Sequence, residues 1–491
     1  MHSKKWHVQC RPGFSVFIVG LLASVSVVLA APAEVKAQAA GAGAGSVSEM
    51  PLQLAQNNPT AGALAAQPEA VAAPPNGTFD RFDPLRIKGL TVNLAGPADT
   101  IDQGAFGLRS TLADSGIGYL IYGNSYFQDN LLRHSHPLYN SRANQVYAGQ
   151  LPTYVASEFP FVTFDVSRFG PSDGQIVIGG AFVNTNWAPL GPNQVSLGTA
   201  SYYQTFFDRK LELKVGYFAN NLEFLGTYVG GSLASGVFGP NASIPVEQGE
   251  STLAFVRPGI NLKANLPGNF YDKVGVQRAI SPDGNVVEKR QNPTAASYQV
   301  SNSGVFVINE FGYRVPATPG SQQTWVRAAA SYTSSNYVNF DRPGQRADHN
   351  YGLYLLADRQ LLQTAPAKGT AAQGLYAGFS VMYAPPALNR FSQYYEGRLY
   401  GLGLIPGRPL DLLSFVVTSN VFSSNLVAQT RRAGGRAHTN SEAYSVSYSA
   451  HVYNGINLNL GVSYIDHPTP VAYTGSTGNG LNLYLGAVTF F

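Results

Sequence analysis

Leu481-Asn-Leu-Tyr-Leu-Gly-Ala-Val-Thr-Phe-Phe491 closes the chain, and its reading decides the fold. Leu481, Leu483, Leu485 and Ala487 alternate with Asn482, Tyr484 and Gly486. A period of two with one apolar side is a β-strand lying between two different surroundings. The pattern runs to Phe490-Phe491, whereas the ends of most soluble domains are polar and frayed. Only Thr489 stands where the alternation wants another apolar residue.

The segments just upstream repeat the pattern. Over residues 443–453, Tyr444, Val446, Tyr448, Ala450 and Val452 share one face, and Ser445, Ser447, Ser449, His451 and Tyr453 the other. Over 456–464, Ile456, Leu458, Leu460, Val462 and Tyr464 oppose Asn457, Asn459, Gly461 and Ser463. Asn454-Gly455 between them is a two-residue hairpin signal, predicting a type I′ turn in which both residues have φ > 0. A soluble sandwich alternates too, but with a more charged outer face.

The connections separate the two folds. Back from Phe491, the links at 465–480, 423–442, 334–350 and 220–253 are long, and those at 454–455, 406–411, 267–269 and 208–209 are short. Such alternation is the habit of outer-membrane barrels. The link 362–373 is longer than this rule wants. The full pass predicts an all-β chain with a 16-stranded antiparallel transmembrane β-barrel of the outer-membrane porin type over 117–491. Its strands are expected at 117–127, 158–167, 175–187, 198–207, 211–219, 254–265, 271–280 and 303–313. The rest are expected at 324–333, 351–361, 374–384, 397–405, 412–422, 443–453, 456–464 and 481–491. An even count puts both chain ends on one side, the periplasm.

Lys4, Lys5 and Arg11 precede the apolar run 14–31, and Ala37-Gln38-Ala39 supplies the small residues of a cleavage site. Residues 1–39 therefore read as a signal peptide cleaved after Ala39, with Ala30 as the runner-up site. That segment carries Lys4, Lys5, Arg11, Lys36 and Glu34, so most of the net charge of +4 leaves with it. A remainder near neutrality gives no reason to expect nucleic acid as a partner. The single cysteine, Cys10, leaves as well, which excludes disulfides and thiolate metal sites. Charged residues are only 12% of the chain, while 52 Gly, 28 Tyr and 27 Phe are many. That balance, with no run of 18 apolar residues beyond the signal, suits strands crossing a membrane. Residues 40–85 are rich in Ala, Pro and Gln and read as a flexible periplasmic leader. Residues 86–116 read as a lead-in or short plug.

A chain ending on a strand-terminal aromatic resembles Gram-negative outer-membrane barrels. That resemblance implies export to the cell outer membrane, recognition by the barrel insertion machinery, and contact with outer-membrane lipid and lipopolysaccharide. More specific runs follow: Leu211-Glu-Leu-Lys-Val-Gly-Tyr217, Asn221-Leu-Glu-Phe224, Phe238-Gly-Pro240 and Tyr351-Gly-Leu-Tyr-Leu-Leu-Ala-Asp-Arg-Gln360. Further on stand Tyr400-Gly-Leu-Gly-Leu-Ile-Pro-Gly-Arg-Pro-Leu-Asp411, Glu442-Ala-Tyr-Ser-Val-Ser-Tyr448 and Tyr464-Ile-Asp-His-Pro468. Over 109–491 the chain resembles the carbohydrate-selective porins of the OprB type; the Gly-Leu-Ile-Pro-x-Arg-Pro-x-Asp run is the most specific element. The resemblance implies passive diffusion of mono- and small oligosaccharides, such as glucose, through a channel that is usually monomeric, with a trimer as the alternative. Trp is scarcer here than in the family. The segment after the first strand reads Asn130-Leu-Leu-Arg-His-Ser-His136 instead of an Asn and Gly-Gly run, which leaves the sugar open.

A barrel of this size has a lumen wide enough for water and small solutes, and selectivity depends on what narrows it. The longest connection, 220–251, carries Glu223, Phe224, Tyr228, Phe238, Glu247 and Glu250, with Gly230, Gly231 and Gly236 to let it fold inward. Strand parity places Glu212, Lys214, Arg327, Tyr354 and His451 on the lumen side, and Arg168 is expected opposite the loop's carboxylates. Aromatic faces suit the C–H side of a sugar, and the rigid guanidinium fork suits its hydroxyls. Arg408 and Asp411 read as a structural pair pinning a turn. Gly230-Gly-Ser-Leu-Ala234 misses G-x-S-x-G at its last position, and His134-x-His136 has no third ligand nearby. Neither an enzyme nor a metal or other cofactor is expected. The competing readings are a general or other-solute porin and a structural or adhesive barrel.

Overall fold

The computed structural model describes residues 79–491 except 92–93, 133–144, 146, 171, 188–191, 226–243, 368, 468–471 and 474–477. The expected signal peptide, most of the leader, Tyr228, Phe238, His134 and His136 lie outside the described residues.

Sixteen strands close a single antiparallel barrel. They are β1 (Ile117–Asn130), β2 (Thr153–Asp165), β3 (Gln175–Thr185), β4 (Gln194–Phe206), β5 (Leu211–Phe218), β6 (Arg257–Asn265), β7 (Phe270–Arg278) and β8 (Val305–Val315). Then come β9 (Thr324–Thr333), β10 (Asn350–Gln363), β11 (Gly374–Tyr383), β12 (Phe391–Leu402), β13 (Leu412–Phe422), β14 (Asn440–Tyr453), β15 (Ile456–Asp466) and β16 (Gly480–Phe490). Each pairs with its chain neighbour, and β16 closes on β1 from Tyr122↔Phe490 to Asn130↔Asn482. Every expected strand is present. The largest boundary errors are at β2, which starts at Thr153 and not 158, and β12, which starts at Phe391 and not 397.

Alternation sorts the two faces. On β14, Tyr444 and Val446 are exposed while Ser445, Ser447 and Ser449 are buried; β15 exposes Leu458, Leu460 and Val462 and buries Asn459 and Ser463. Across the inner face the Ser445 and Ser463 hydroxyls meet at 2.8 Å, and those of Ser414 and Ser447 at 2.6 Å. An apolar outer surface over a polar interior is the pattern of a barrel solvated by lipid.

The β14–β15 turn departs from its expected type. Gly455 has φ 71°, but Asn454 is absent from the positive-φ residues, and the ladder shifts register between His451 and Tyr453. The turn is gripped from outside its own hairpin. Asp99 Oδ1 accepts from Gly455 N (2.8 Å), and Phe490 N donates to Gly455 O (2.8 Å). A Cβ at Gly455 would meet Phe490 O at 2.5 Å and Ile101 N at 2.6 Å, so glycine is required by space as well as by φ.

Ahead of β1 the chain is ordered earlier than expected: Asp80–Leu85 is a 3-10 turn burying Phe82 and Leu85. From there a strap runs along the inner wall. Thr163 Oγ1 donates to Leu85 O (2.6 Å), Gln175 Nε2 to Arg86 O (2.8 Å), and Lys88 N to Gln175 Oε1 (3.0 Å). Leu94 and Ala95 cluster with Tyr122, Phe159 and Phe161 of the wall, and the strap is tied to the terminal end of the barrel by Asp99, 2.7 Å from His451 Nε2, and by Ile101 N donating to Phe490 O (2.8 Å). Beyond it, α1 (Leu108–Asp114) leads into β1. Within that lead, Arg109 is buried with Asp102 at 3.0 Å.

Candidate functional site

The site is built where the β5–β6 connection and the strap meet the inner wall. After β5 the chain makes a 3-10 turn, Asn220–Leu222, with Asn220, Asn221, Glu223 and Phe224 all buried. Charged groups can be buried only when partnered, and the wall supplies the partners. Lys214 Nζ lies 2.7 Å from Glu223 Oε1, and Asn261 Nδ2 donates to Glu223 Oε2 (2.7 Å) and Asn220 Oδ1 (2.8 Å). Arg327 holds the next two residues with its planar fork: Nη1 donates to Phe224 O and Nη2 to Leu225 O, both 2.7 Å. Its guanidinium lies 3.7 Å from the centre of the Trp325 ring, which orients the fork at little entropic cost.

The segment returns through a short helical turn, Ile244–Glu247. Gln248 Nε2 donates to Tyr351 O (2.5 Å) and Gln248 Oε1 accepts from Ser331 Oγ (2.7 Å), while Tyr337 OH donates to Glu247 O (3.1 Å). Burial pushes the Glu247 carboxyl up to about 7, against the pull of Arg390 and the amide of Phe391. Glu250, fully buried, accepts no hydrogen bond among the described residues. Burial, reinforced by nearby Glu310, raises its carboxyl well above the usual range. Both are carboxyls held toward the neutral form.

The strap touches this turn directly. Thr91 N donates to Leu222 O (3.1 Å) and Thr91 Oγ1 to Glu223 O (2.5 Å). Lys273 Nζ donates to Thr91 Oγ1 (3.1 Å) and to Glu223 O, and sits 5.0 Å from the Phe224 ring. Three separate chain segments thus converge at Thr91, Glu223 and Lys273.

Of the residues expected on the pathway, Glu212, Lys214, Arg327 and Tyr354 lie on the inner face. Glu212 pairs with Lys263 (2.8 Å) and accepts from Tyr203 OH (2.9 Å). Tyr354 OH donates to Glu310 Oε2 (2.5 Å), which also receives Tyr271 OH through its other oxygen (2.8 Å). His451 shares the parity of Ser445, Ser447 and Ser449, and its partner is Asp99 at the strap's anchor. Arg168 does not face the carboxylates of the β5–β6 connection. It is exposed in the β2–β3 turn, donating to Asp114 O (2.5 Å), because that turn lies at the same end as α1. Arg408 Nε and Asp411 Oδ2 are 2.6 Å apart in the β12–β13 turn, where Asp411 also accepts from His451 N (2.9 Å).

Sequence reasoning missed Glu310, Lys273 and Trp325, although the first two share the parity that found Lys214. It also missed two buried ion clusters. Arg398 binds Asp358 through two nitrogens (2.9 and 2.6 Å) and Glu396 through a third (2.8 Å) on the inner faces of β10 and β12. In the β7–β8 connection, α2 (Asn285–Gln291) places Glu288 between Arg257 (2.6 Å) and Arg278 (2.5 Å). Burial opposes ionisation there, but the two guanidinia hold the Glu288 carboxyl below its usual value.

Comparisons with known proteins agree with this architecture. The profile of the family described as carbohydrate-selective porin, OprB family, matches residues 156–488. The high-pH structure of Pseudomonas putida OprB is similar with a TM-score of 0.63 at 15% identity, covering 80% of this chain and 98% of that one. Its low-pH structure is similar with a TM-score of 0.50 at 14% identity and the same coverage. No curated protein matches the sequence. The family match spans the inner-wall residues from β2 to β16, including Lys214, Glu223, Arg327 and Tyr354, and the chain belongs to the OprB family of carbohydrate-selective porins.

Proposed function

We propose that the protein is a passive, water-filled channel through which mono- and small oligosaccharides cross the outer membrane. Residues 1–39 serve as a cleaved signal, 40–85 as a periplasmic leader whose end, Asp80–Leu85, folds into a 3-10 turn, and the mature chain acts as a monomer with both ends in the periplasm. The bore is set by the 220–253 connection resting on the inner wall. The observation that carries this reading is the clamp of Lys214, Asn261 and Arg327 on the 220–225 turn, which fixes a charged segment against lumen-side groups of a closed ring. Passive flow needs binding strong enough to admit a solute and weak enough to release it. No residue is asked to couple energy.

In planar bilayers, glucose or maltose added to the purified channel is expected to lower ion current. Shortening 228–247 is expected to raise conductance and abolish that block. Unchanged current with every sugar, and a loop variant that behaves as wild type, would reject the sugar assignment in favour of a general porin or a structural barrel.

A further inference from the structure

Between the strap and the inner wall lies a cavity of about 250 Å³, bordered by Lys88–Thr91 on one side and by β4–β9 on the other. Its lining is unevenly charged. Lys88, Arg209, Lys214, Lys263, Lys273 and Arg314 face it together with only Glu212 and Glu223. Asp173, beside Lys88 (3.7 Å) and Arg209 (3.4 Å), offsets one more positive charge. Leaving aside Arg314, which has a partner of its own, two remain in excess. Lys273 is among the least compensated: it is buried and, among the described residues, has no carboxylate within ion-pair distance, only Thr91 Oγ1, the Glu223 carbonyl and the Phe224 face.

An excess of positive charge in a cleft between low-dielectric walls focuses the field and concentrates anions. The same cavity carries groups suited to a polyol, namely the hydroxyls of Thr91, Tyr203 and Tyr271, the Asn261 amide and the Glu212 carboxylate. The strap is shaped to leave this room. Gly89 has φ 77°, and a Cβ there would meet the Tyr203 ring at 2.9 Å, so the strap lies flat on that ring.

We propose that this strap-walled cavity is a binding station for carbohydrates bearing an anionic group, a carboxylate or a phosphate. It rests on the sugar-channel reading and narrows its substrate class. The strap's side of the station, Lys88–Thr91, lies ahead of the residues that the family profile matches, while the wall side lies within them.

The test uses the full-length protein in planar bilayers, with glucose, gluconate and glucose 6-phosphate as probes and acetate and inorganic phosphate as non-sugar anions. At about 0.1 M KCl, gluconate and glucose 6-phosphate are expected to half-block the current at about five-fold lower concentration than glucose. At about 1 M KCl, where the Debye length falls to roughly 3 Å, that preference is expected to vanish. Lys88→Gln and Lys273→Gln are each expected to shrink the preference at low salt, read as the ratio of the glucose to the gluconate half-block concentration, by about two-fold or more. Lys88 belongs to the strap and not to the ring, so Lys88→Gln decides the matter if Lys273→Gln fails to assemble. Equal half-block by glucose and gluconate at low salt would overturn the inference and leave the channel a porin for neutral sugars. Block by acetate and phosphate as strong as by gluconate would overturn its carbohydrate part. Absence of block by any sugar would remove the inference together with the function on which it rests.

Discussion

Arg327 shows what a single residue can and cannot announce. Its parity on β9 put it on the inner face from the sequence alone, yet its role depends on the carbonyls of Phe224 and Leu225, about a hundred positions away. Lys214 and Tyr354 were legible in the same way. Glu310 and Lys273 carry the same signal and were passed over, whereas His451 kept its expected parity but met a partner, Asp99, from a segment with no strand pattern. Parity reports which side a residue faces, not what it meets there. Glu247 gives the pH prediction at this scale. Burial raises its carboxyl from the ordinary 4.5 to about 7, with Arg390 opposing the rise. A raised carboxyl means that the anchored segment binds the proton more tightly than the released one. Stability of the anchored state therefore falls as pH rises from about 4.5 to 7, by on the order of 3 kcal/mol at most, and is level above that. Limited proteolysis within 226–250 is expected to quicken between pH 5 and pH 7 in the wild type, relative to a control substrate. In Glu247→Gln that rise is expected to be reduced, with Glu250 keeping part of it. A Glu247→Gln profile as steep as wild type would assign the dependence elsewhere.

At the scale of the element, a strand is legible because its period is two and its two faces meet different surroundings. All sixteen strands could be read for that reason, and their ends could not, because the alternation of Phe391–Leu402 continues beyond the point where its outer face is plainly apolar. The β14–β15 turn was misread for a different reason. Asn-Gly favours type I′ in isolation, but the strap's Asp99 and the terminal Phe490 pull on Gly455 and select another geometry. Local turn chemistry gave way to tertiary contacts. The face assignment itself is open to a direct test on β14. Val446 is 52% exposed and Ser447 is 4% exposed. Val446→Arg places a charge in the hydrocarbon layer and is expected to cost about 2–4 kcal/mol near mid-membrane. Ser447→Arg points inward, loses only the Ser414 contact, and is expected to fold while lowering conductance. Urea-folding titrations into vesicles and single-channel currents separate the two. The opposite outcome would mean a register one residue out.

Among the described residues, two separate segments of the closed ring rest together on its inner wall, one from ahead of β1 and one from between β5 and β6. Length and glycine content marked the second as a loop that could fold inward, whereas the first was left between a lead-in and a short plug, because its sequence has no strand period and its partners on the wall are distant in sequence. The two insertions are not independent. Thr91 is bonded to Leu222 and Glu223, and Lys273 bridges Thr91 to the Glu223 carbonyl. Removing either one leaves the other with unpaired groups and more freedom, so part of the narrowing proposed for it is expected to be lost as well. Elements that share partners give non-additive effects, and sites without shared partners add. Four proteins test this: wild type, one with residues 87–95 replaced by a Gly/Ser linker of equal length, one shortened over 228–243, and the combination. Each single change is expected to raise single-channel conductance, and the increase in the double variant is expected to fall short of the product of the two. Heat-modifiable migration on gels checks that every variant still closes its ring, because strand pairing around the barrel does not depend on either insertion. An exact product of the two effects would show that strap and connection narrow the lumen separately, and the contacts at Thr91 would then be packing without consequence for flow.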